Sequence, residues 1–169
     1  MIAFPRYLVI LTLLAALPAL SGCIGYRLGS SLPPGIKSVY VPTFVNRTGE
    51  PQLETEASMA AMQEFQKDGT LSVAAEESAD TILFVTLKKI REEPVRFTDT
   101  KTASEYRLIV DADIEFKKRV GNEILMKRSV YGQSTFKVAG DLPSARRTAL
   151  TPAAQDLAHQ IVTTVVEFW

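Results

Sequence analysis

The chain has 169 residues, and 19 lysines and arginines balance 19 aspartates and glutamates, so its net charge is zero. Hydrophobic residues at 46% and charged residues at 22% are the balance of a chain that buries a core, which excludes a disordered one. Zero net charge argues against a nucleic-acid partner that needs a global positive field, the single cysteine excludes an internal disulfide framework, and the single histidine excludes paired-histidine metal motifs.

Tyr7 to Leu20 is uncharged and apolar, interrupted by Pro18. It is shorter than the ~20 residues of a membrane span. With Arg6 before it, the run reads as the apolar region of a secretory signal. It ends in Leu20-Ser21-Gly22-Cys23, at the only cysteine of the chain. This stretch resembles the bacterial lipobox. The resemblance implies a signal peptide over 1–22, cleavage before Cys23, and a covalent diacylglycerol and N-acyl lipid on Cys23. Ile24, where aspartate would retain the protein at the inner membrane, implies sorting to the outer membrane. Residues 23–35 are rich in Gly, Ser and Pro and read as a lipidated tether, which leaves 36–169 as the folded domain.

Ile36 to Val41 is β-rich and reads as a short strand ended by Pro42. Asn46 to Glu50 reads as a loop, with the Asn46–Thr48 sequon serving as turn chemistry. Pro51 to Asp68 reads as a helix: Pro51 suits its first position, Glu54 and Glu56 lie at the positive end of the dipole, and Lys67 lies at the negative end. Leu53, Ala57, Ala60, Ala61 and Phe65 form its apolar face, and Gly69 suits a left-handed cap. Leu71 to Ala75 is a short strand. Thr81 to Glu92 is a longer one, apolar on both faces at Ile82 to Val85 as inner strands are. Pro94 to Ala103 reads as a loop.

Ser104 to Lys118 alternates strictly. Tyr106, Leu108, Val110, Ala112, Ile114 and Phe116 share one face, and Arg107, Ile109, Asp111, Asp113, Glu115 and Lys117 the other. This predicts a strand with one buried and one polar face. Gly121-Asn122 predicts a hairpin turn, and Glu123 to Val138 the return strand, with Ile124, Met126, Val130 and Phe136 inward and a candidate bulge at Gly132. Leu150, Ala154, Leu157, Ile161, Val165 and Phe168 form a helical stripe. Ser144 or Thr151 is the candidate cap, and Pro152 is expected to kink the helix or start its second part. The order β-α-β-β-β-β-α predicts an α+β fold: a two-layer α/β sandwich with two helices packed on one face of a mostly antiparallel or mixed sheet of four to five strands.

No phosphate loop, nucleophile elbow or zinc-protease motif is present, so the chain is not expected to be an enzyme. The acid pairs Glu92-Glu93 and Asp111/Asp113 read as solvated surface, and His159 as a helix-surface residue.

Gly25-Tyr26 after Cys23, the short strand before an Ala-rich helix ending in Asp68-Gly69, Phe97-Thr98-Asp99, and Ser104-Glu105-Tyr106-Arg107-Leu108 opening the long alternating strand together resemble the LptE family, as does the long C-terminal helix. The resemblance implies a lipid-anchored lipoprotein on the periplasmic leaflet of the outer membrane that plugs the LptD β-barrel and assists lipopolysaccharide assembly. Arg91, Arg96, Lys101 and Arg107 are the candidate lipopolysaccharide-binding residues, since guanidinium forks suit phosphates. No metal and no cofactor beyond the covalent lipid are expected. The alternative is a peripheral periplasmic lipoprotein acting as the binding subunit of another secretion or envelope complex.

Overall fold

The computed structural model describes residues 33–100, 102–138 and 140–168. The leader, Leu20, Ser21, Gly22 and Cys23 of the lipobox, Lys101 and Trp169 lie outside the described residues. Eight elements follow in chain order: β1 (Ser38–Tyr40), β2 (Val45–Asn46), α1 (Leu53–Asp68), β3 (Ser72–Val73), β4 (Thr81–Phe97), β5 (Ala103–Lys118), β6 (Ile124–Lys137) and α2 (Leu142–Glu167).

The expected α+β architecture is present, with two helices packed on a mixed sheet. The sheet has six strands rather than four to five, in the order β3-β1-β4-β5-β6, with β2 also on β4. β1 and β2 both lie parallel to β4, Val39 opposite Thr81 and Val45 opposite Thr86. They are two pieces of one strand interrupted at Pro42. Between them Phe44 turns inward, where its N–H donates to Ser58 Oγ at 2.9 Å. Asn46 does act as turn chemistry: its Oδ1 accepts from the Thr48 amide at 2.9 Å and the Thr48 hydroxyl at 2.7 Å.

β4, β5 and β6 form an antiparallel meander. β4 does not stop at Glu92 but runs to Phe97, so the expected loop shrinks to Thr98–Thr102. Continuous pairing with β5 overrides the weak strand preference of the charged run and Pro94. Beyond Leu87, where β2 ends, β4 has β5 on one side only among the described residues. Pro94 and three register irregularities, at Leu87/Lys89, Pro94/Arg96 and Arg96/Phe97, fall in this half. Such features blunt an open edge against unwanted pairing.

Leu83, Val85 and Leu87 of β4 face the helices together with Leu108, Val110, Ala112, Ile114 and Phe116 of β5, all buried. Leu53, Ala57, Ala61 and Phe65 of α1 and Leu157, Ile161 and Val165 of α2 close this core from the other side. Each fully buried Leu, Ile or Phe contributes about 1.5–3 kcal/mol of transfer free energy. α2 lies along β6 and β5 and against α1.

Several local expectations are corrected. Helix α1 begins at Leu53, two residues after Pro51, because Gln52 takes a left-handed conformation at φ 69°. Helix α2 is capped by neither Ser144 nor Thr151. The Asp141 carboxylate accepts from the Ser144 amide at 2.9 Å. The helix then runs unbroken through Pro152, with Ala149 and Leu150 before it and Ala153 and Ala154 after it all buried. Ile124 is not inward but 50% exposed. The β5–β6 register slips at Phe116/Lys117, so Leu125 becomes an extra residue and Ile124 is turned to solvent. Gly132 is not a bulge, since it pairs regularly with Val110.

Candidate functional site

The face of the sheet away from the helices is the candidate interaction surface. β5 supplies its central row as the alternation requires: Arg107, Asp111, Asp113, Glu115 and Lys117 all point to this side. β4 supplies the flanking row through its irregularity at Leu87/Lys89. Before it the odd-numbered residues face inward. Lys88 is the extra residue, and after it Lys89, Arg91 and Glu93 face outward opposite Asp111, Ile109 and Arg107.

The result is a lattice of cross-strand ion pairs. The Arg91 guanidinium donates to both oxygens of Asp111, Nε to Oδ2 at 2.8 Å and Nη2 to Oδ1 at 3.0 Å, and its Nη1 donates to Glu93 Oε1 at 2.7 Å. Lys88 Nζ lies 2.8 Å from Asp113, which also accepts from Ser129 Oγ at 2.7 Å. Lys127 meets Glu115 at 2.7 Å, and Arg96 meets Glu105 at 3.3 Å. Lys117 Nζ sits over the Phe84 ring at 4.4 Å from its centroid. That contact explains how the apolar start of β4 leaves Phe84 40% exposed. Phe84, Asp113, Glu115, Lys117 and Lys127 line an open depression of about 670 Å³.

Hydrogen bonding from Arg91 holds the Asp111 carboxyl below the usual carboxylate range, and that from Lys88 and Ser129 does the same for Asp113. Neither acid is poised for proton transfer near neutral pH, where a matched pKa is needed. Among the described residues no group of three His, Cys, Asp or Glu side chains is placed to hold a metal ion. His159 is on the helix surface as expected, and its Nδ1 lies 2.8 Å from Glu64 Oε1, linking the two helices.

Of the four candidate lipopolysaccharide-binding cations, Arg91, Arg96 and Arg107 lie on this outer face toward the β4–β5 hairpin end. Lys101 is outside the described residues. Arg91 and Arg96 are ion-paired, whereas Arg107 has no carboxylate partner among the described residues. Sequence reasoning missed Arg146, whose Nη1 lies 2.6 Å from Glu50 and whose Nε lies 2.5 Å from Glu92, tying α2 to the loop before α1 and to β4. Glu92 reaches it because the same irregularity turns Glu92 inward, opposite Leu108. No local pattern signals that pairing.

The two layers and the ion-paired outer sheet face define an α+β domain with a charged outer surface. Residues 36–165 match the family described as LptE, lipopolysaccharide-assembly. The chain belongs to the LptE family, a non-enzymatic lipoprotein family of the bacterial cell envelope. None of the curated proteins matches it in sequence. Similar solved structures include a Xanthomonas campestris protein, 11% identical with a TM-score of 0.56, covering 81% of this chain and 88% of that one. A minor lipoprotein from Acinetobacter baumannii is 17% identical with a TM-score of 0.53, covering 80% and 95%. A hypothetical protein from Chlamydia trachomatis is 10% identical with a TM-score of 0.55, covering 79% and 97%. At these identities the likeness is one of fold.

Proposed function

We propose that the protein is an outer-membrane lipoprotein, acylated on Cys23 and tethered by residues 23–35 to the periplasmic leaflet, whose domain plugs an LptD-type β-barrel and assists lipopolysaccharide assembly. It acts by binding and without catalysis. Family membership supports the pathway, and the outer sheet face is the observation that carries the plug reading. Large barrels have polar, water-filled interiors that are commonly plugged. A face of paired charges suits such an interior, with Phe84 the exposed ring beneath Lys117. The sheet is long enough to run the height of such a barrel. β1 and the start of β4 lie at one end of the sheet and the Thr98–Thr102 turn at the other. The 17 residues of β4 span roughly 55 Å at ~3.3 Å each, more than the ~40–45 Å of a whole bilayer.

Purification of the full chain from detergent-solubilised envelope tests this reading. The expected product is a stoichiometric complex with a large β-barrel protein, in which the chain begins at lipidated Cys23. Cys23→Ser should leave an uncleaved precursor. Joint reversal of Arg107 and Lys117 to glutamate should leave the domain folded and weaken the complex, because interface charges change sign. Recovery of the wild-type chain with soluble or inner-membrane partners and no barrel would overturn the proposal in favour of a peripheral envelope subunit.

A further inference from the structure

β6 ends the sheet, and no strand covers its outer edge among the described residues. The two edges of the meander are treated differently. The open half of β4 carries Pro94 and three register irregularities. β6 carries no proline, and from Met126 to Lys137 it pairs with β5 without interruption. The Gln133 N–H marks which backbone groups face outward. It donates to Asp156 Oδ2 of α2 at 2.8 Å instead of to β5. By the period of two, the N–H and C=O groups of Ser129, Tyr131 and Thr135 point the same way. A groove of about 300 Å³ runs beside them, lined by Tyr131, Gln133, Asp156, Gln160 and Thr164.

We propose that this edge is a strand-addition site for an extended polypeptide segment with acidic ends, and that Asp156 competes with the segment for the central amide. An edge of this length with neither proline nor register slip from Met126 to Lys137 templates pairing. The charges select the occupant: Lys137 stands at one end of the edge, Lys127, shared with Glu115, and Arg128, 5.0 Å from the centroid of the Phe168 ring, at the other, and the Asp156 carboxylate at its centre. A second copy of the chain is a poor fit. Antiparallel pairing of β6 with itself about Gly132 sets Lys127 opposite Lys137 and brings two Asp156 carboxylates to the axis, and like charges directly opposite are destabilising. The inference goes beyond the barrel-plug reading and stands independently of it.

The test uses the full chain in detergent and a synthetic strand peptide of alternating threonine and valine, with glutamates at both ends and a lysine at the centre. A charge-swapped peptide is the control. The acidic-ended peptide should slow hydrogen exchange at the Ser129, Tyr131 and Thr135 amides by about tenfold or more, and the swapped peptide should not. Ser129→Pro and Thr135→Pro remove outward amides that β5 does not use, so they should abolish binding. Asp156→Ala frees the Gln133 amide and should tighten binding several-fold, whether or not the proline variants fold. Equal effects of both peptides, no slowing by either, or unchanged binding by Asp156→Ala would overturn the proposal. Concentration-dependent protection of the same amides without peptide would assign the edge to a second copy instead.

Discussion

Gly132 of β6 and Leu157 of α2 meet backbone to backbone: a Cβ at Gly132 would collide with the Leu157 N and Cα atoms and with the Ala153 carbonyl oxygen. Glycine is required there because the helix leaves no room for any side chain. Ser134, two residues on, donates its hydroxyl to the Ala149 carbonyl at 2.6 Å and so fixes the same helix along the strand. Of the three residues that weaken the apolar pattern of β6, Arg128, Gly132 and Ser134, the last two let α2 lie close.

Gly132→Ala should therefore destabilise the domain at the upper end of the ~1–3 kcal/mol typical of overpacking, since the obstructing atoms are backbone. Thr135→Ala, on the outer face, should fall within about ±0.5 kcal/mol. Urea unfolding of the two variants measures the contrast.

The two faces of β5 should differ sharply in sensitivity. Leu108→Ala and Ile161→Ala remove fully buried side chains and should cost about 2–5 kcal/mol. Glu115→Ala breaks only the solvent-exposed pair with Lys127, a class worth ~0–1 kcal/mol. Equal losses on both faces in thermal unfolding would contradict a sheet covered on one side.

Acid should unfold the domain through carboxylates held below their usual range, Asp80, Asp111, Asp113, Asp141 and Glu64. Arg91 holds Asp111, Lys88 holds Asp113, and the Ser38 hydroxyl with the Lys37 and Ser38 amides holds Asp80. A folded-state pKa below the unfolded one gives stability that is complete above the ordinary aspartate value of about 3.9. That stability is lost as pH falls through the lowered values. The urea midpoint should stay flat from neutral pH down to about 5 and drop below about 4. Asp80→Asn, which loosens the joint between β1 and the start of β4, should make the acid limb shallower.

Lipopolysaccharide binding should separate the four cations. Arg107, with no carboxylate partner among the described residues, is the most available, and Arg107→Gln should weaken binding most at low salt, where screening is least. Arg91→Gln should instead leave Asp111 without its guanidinium and loosen the hairpin, seen as faster amide exchange in β4 and β5. Binding unchanged by the combined Arg91→Gln, Arg96→Gln, Lys101→Gln and Arg107→Gln variant would reduce the cluster to ordinary surface.

The α+β class, the first helix with its Gly69 cap, the buried face of β5 and the stripe of α2 from Leu150 to Val165 were legible in the residues, whereas Phe168, the expected end of that stripe, follows the helix and is 40% exposed. Each is a local period, and burying one face or one stripe is enough to impose it. The resemblance to LptE was legible for a related reason, because element order and spacing survive where no catalytic motif exists. Weaker local signals misled. Pro51 looked like a helix start and Ser144 like a cap. Ile124 looked inward because its alternation was extrapolated through a slip that occurs one residue away.

By itself the sequence determined which residues form the core, the two-layer arrangement, and a polar outer row on β5. Tertiary structure alone decided how that polar face is wired. The extra residue at Lys88 reverses the phase of β4, sending Arg91 out to Asp111 and Glu92 in to Arg146. A run such as Lys88 to Glu93, with Ile90 as its one apolar member, carries no phase of its own. Only pairing with β5 and β2 selects where the strand slips. In the same way, nothing near Gly132 in the chain announces Leu157, because the requirement for glycine comes from a helix that the fold brings to it.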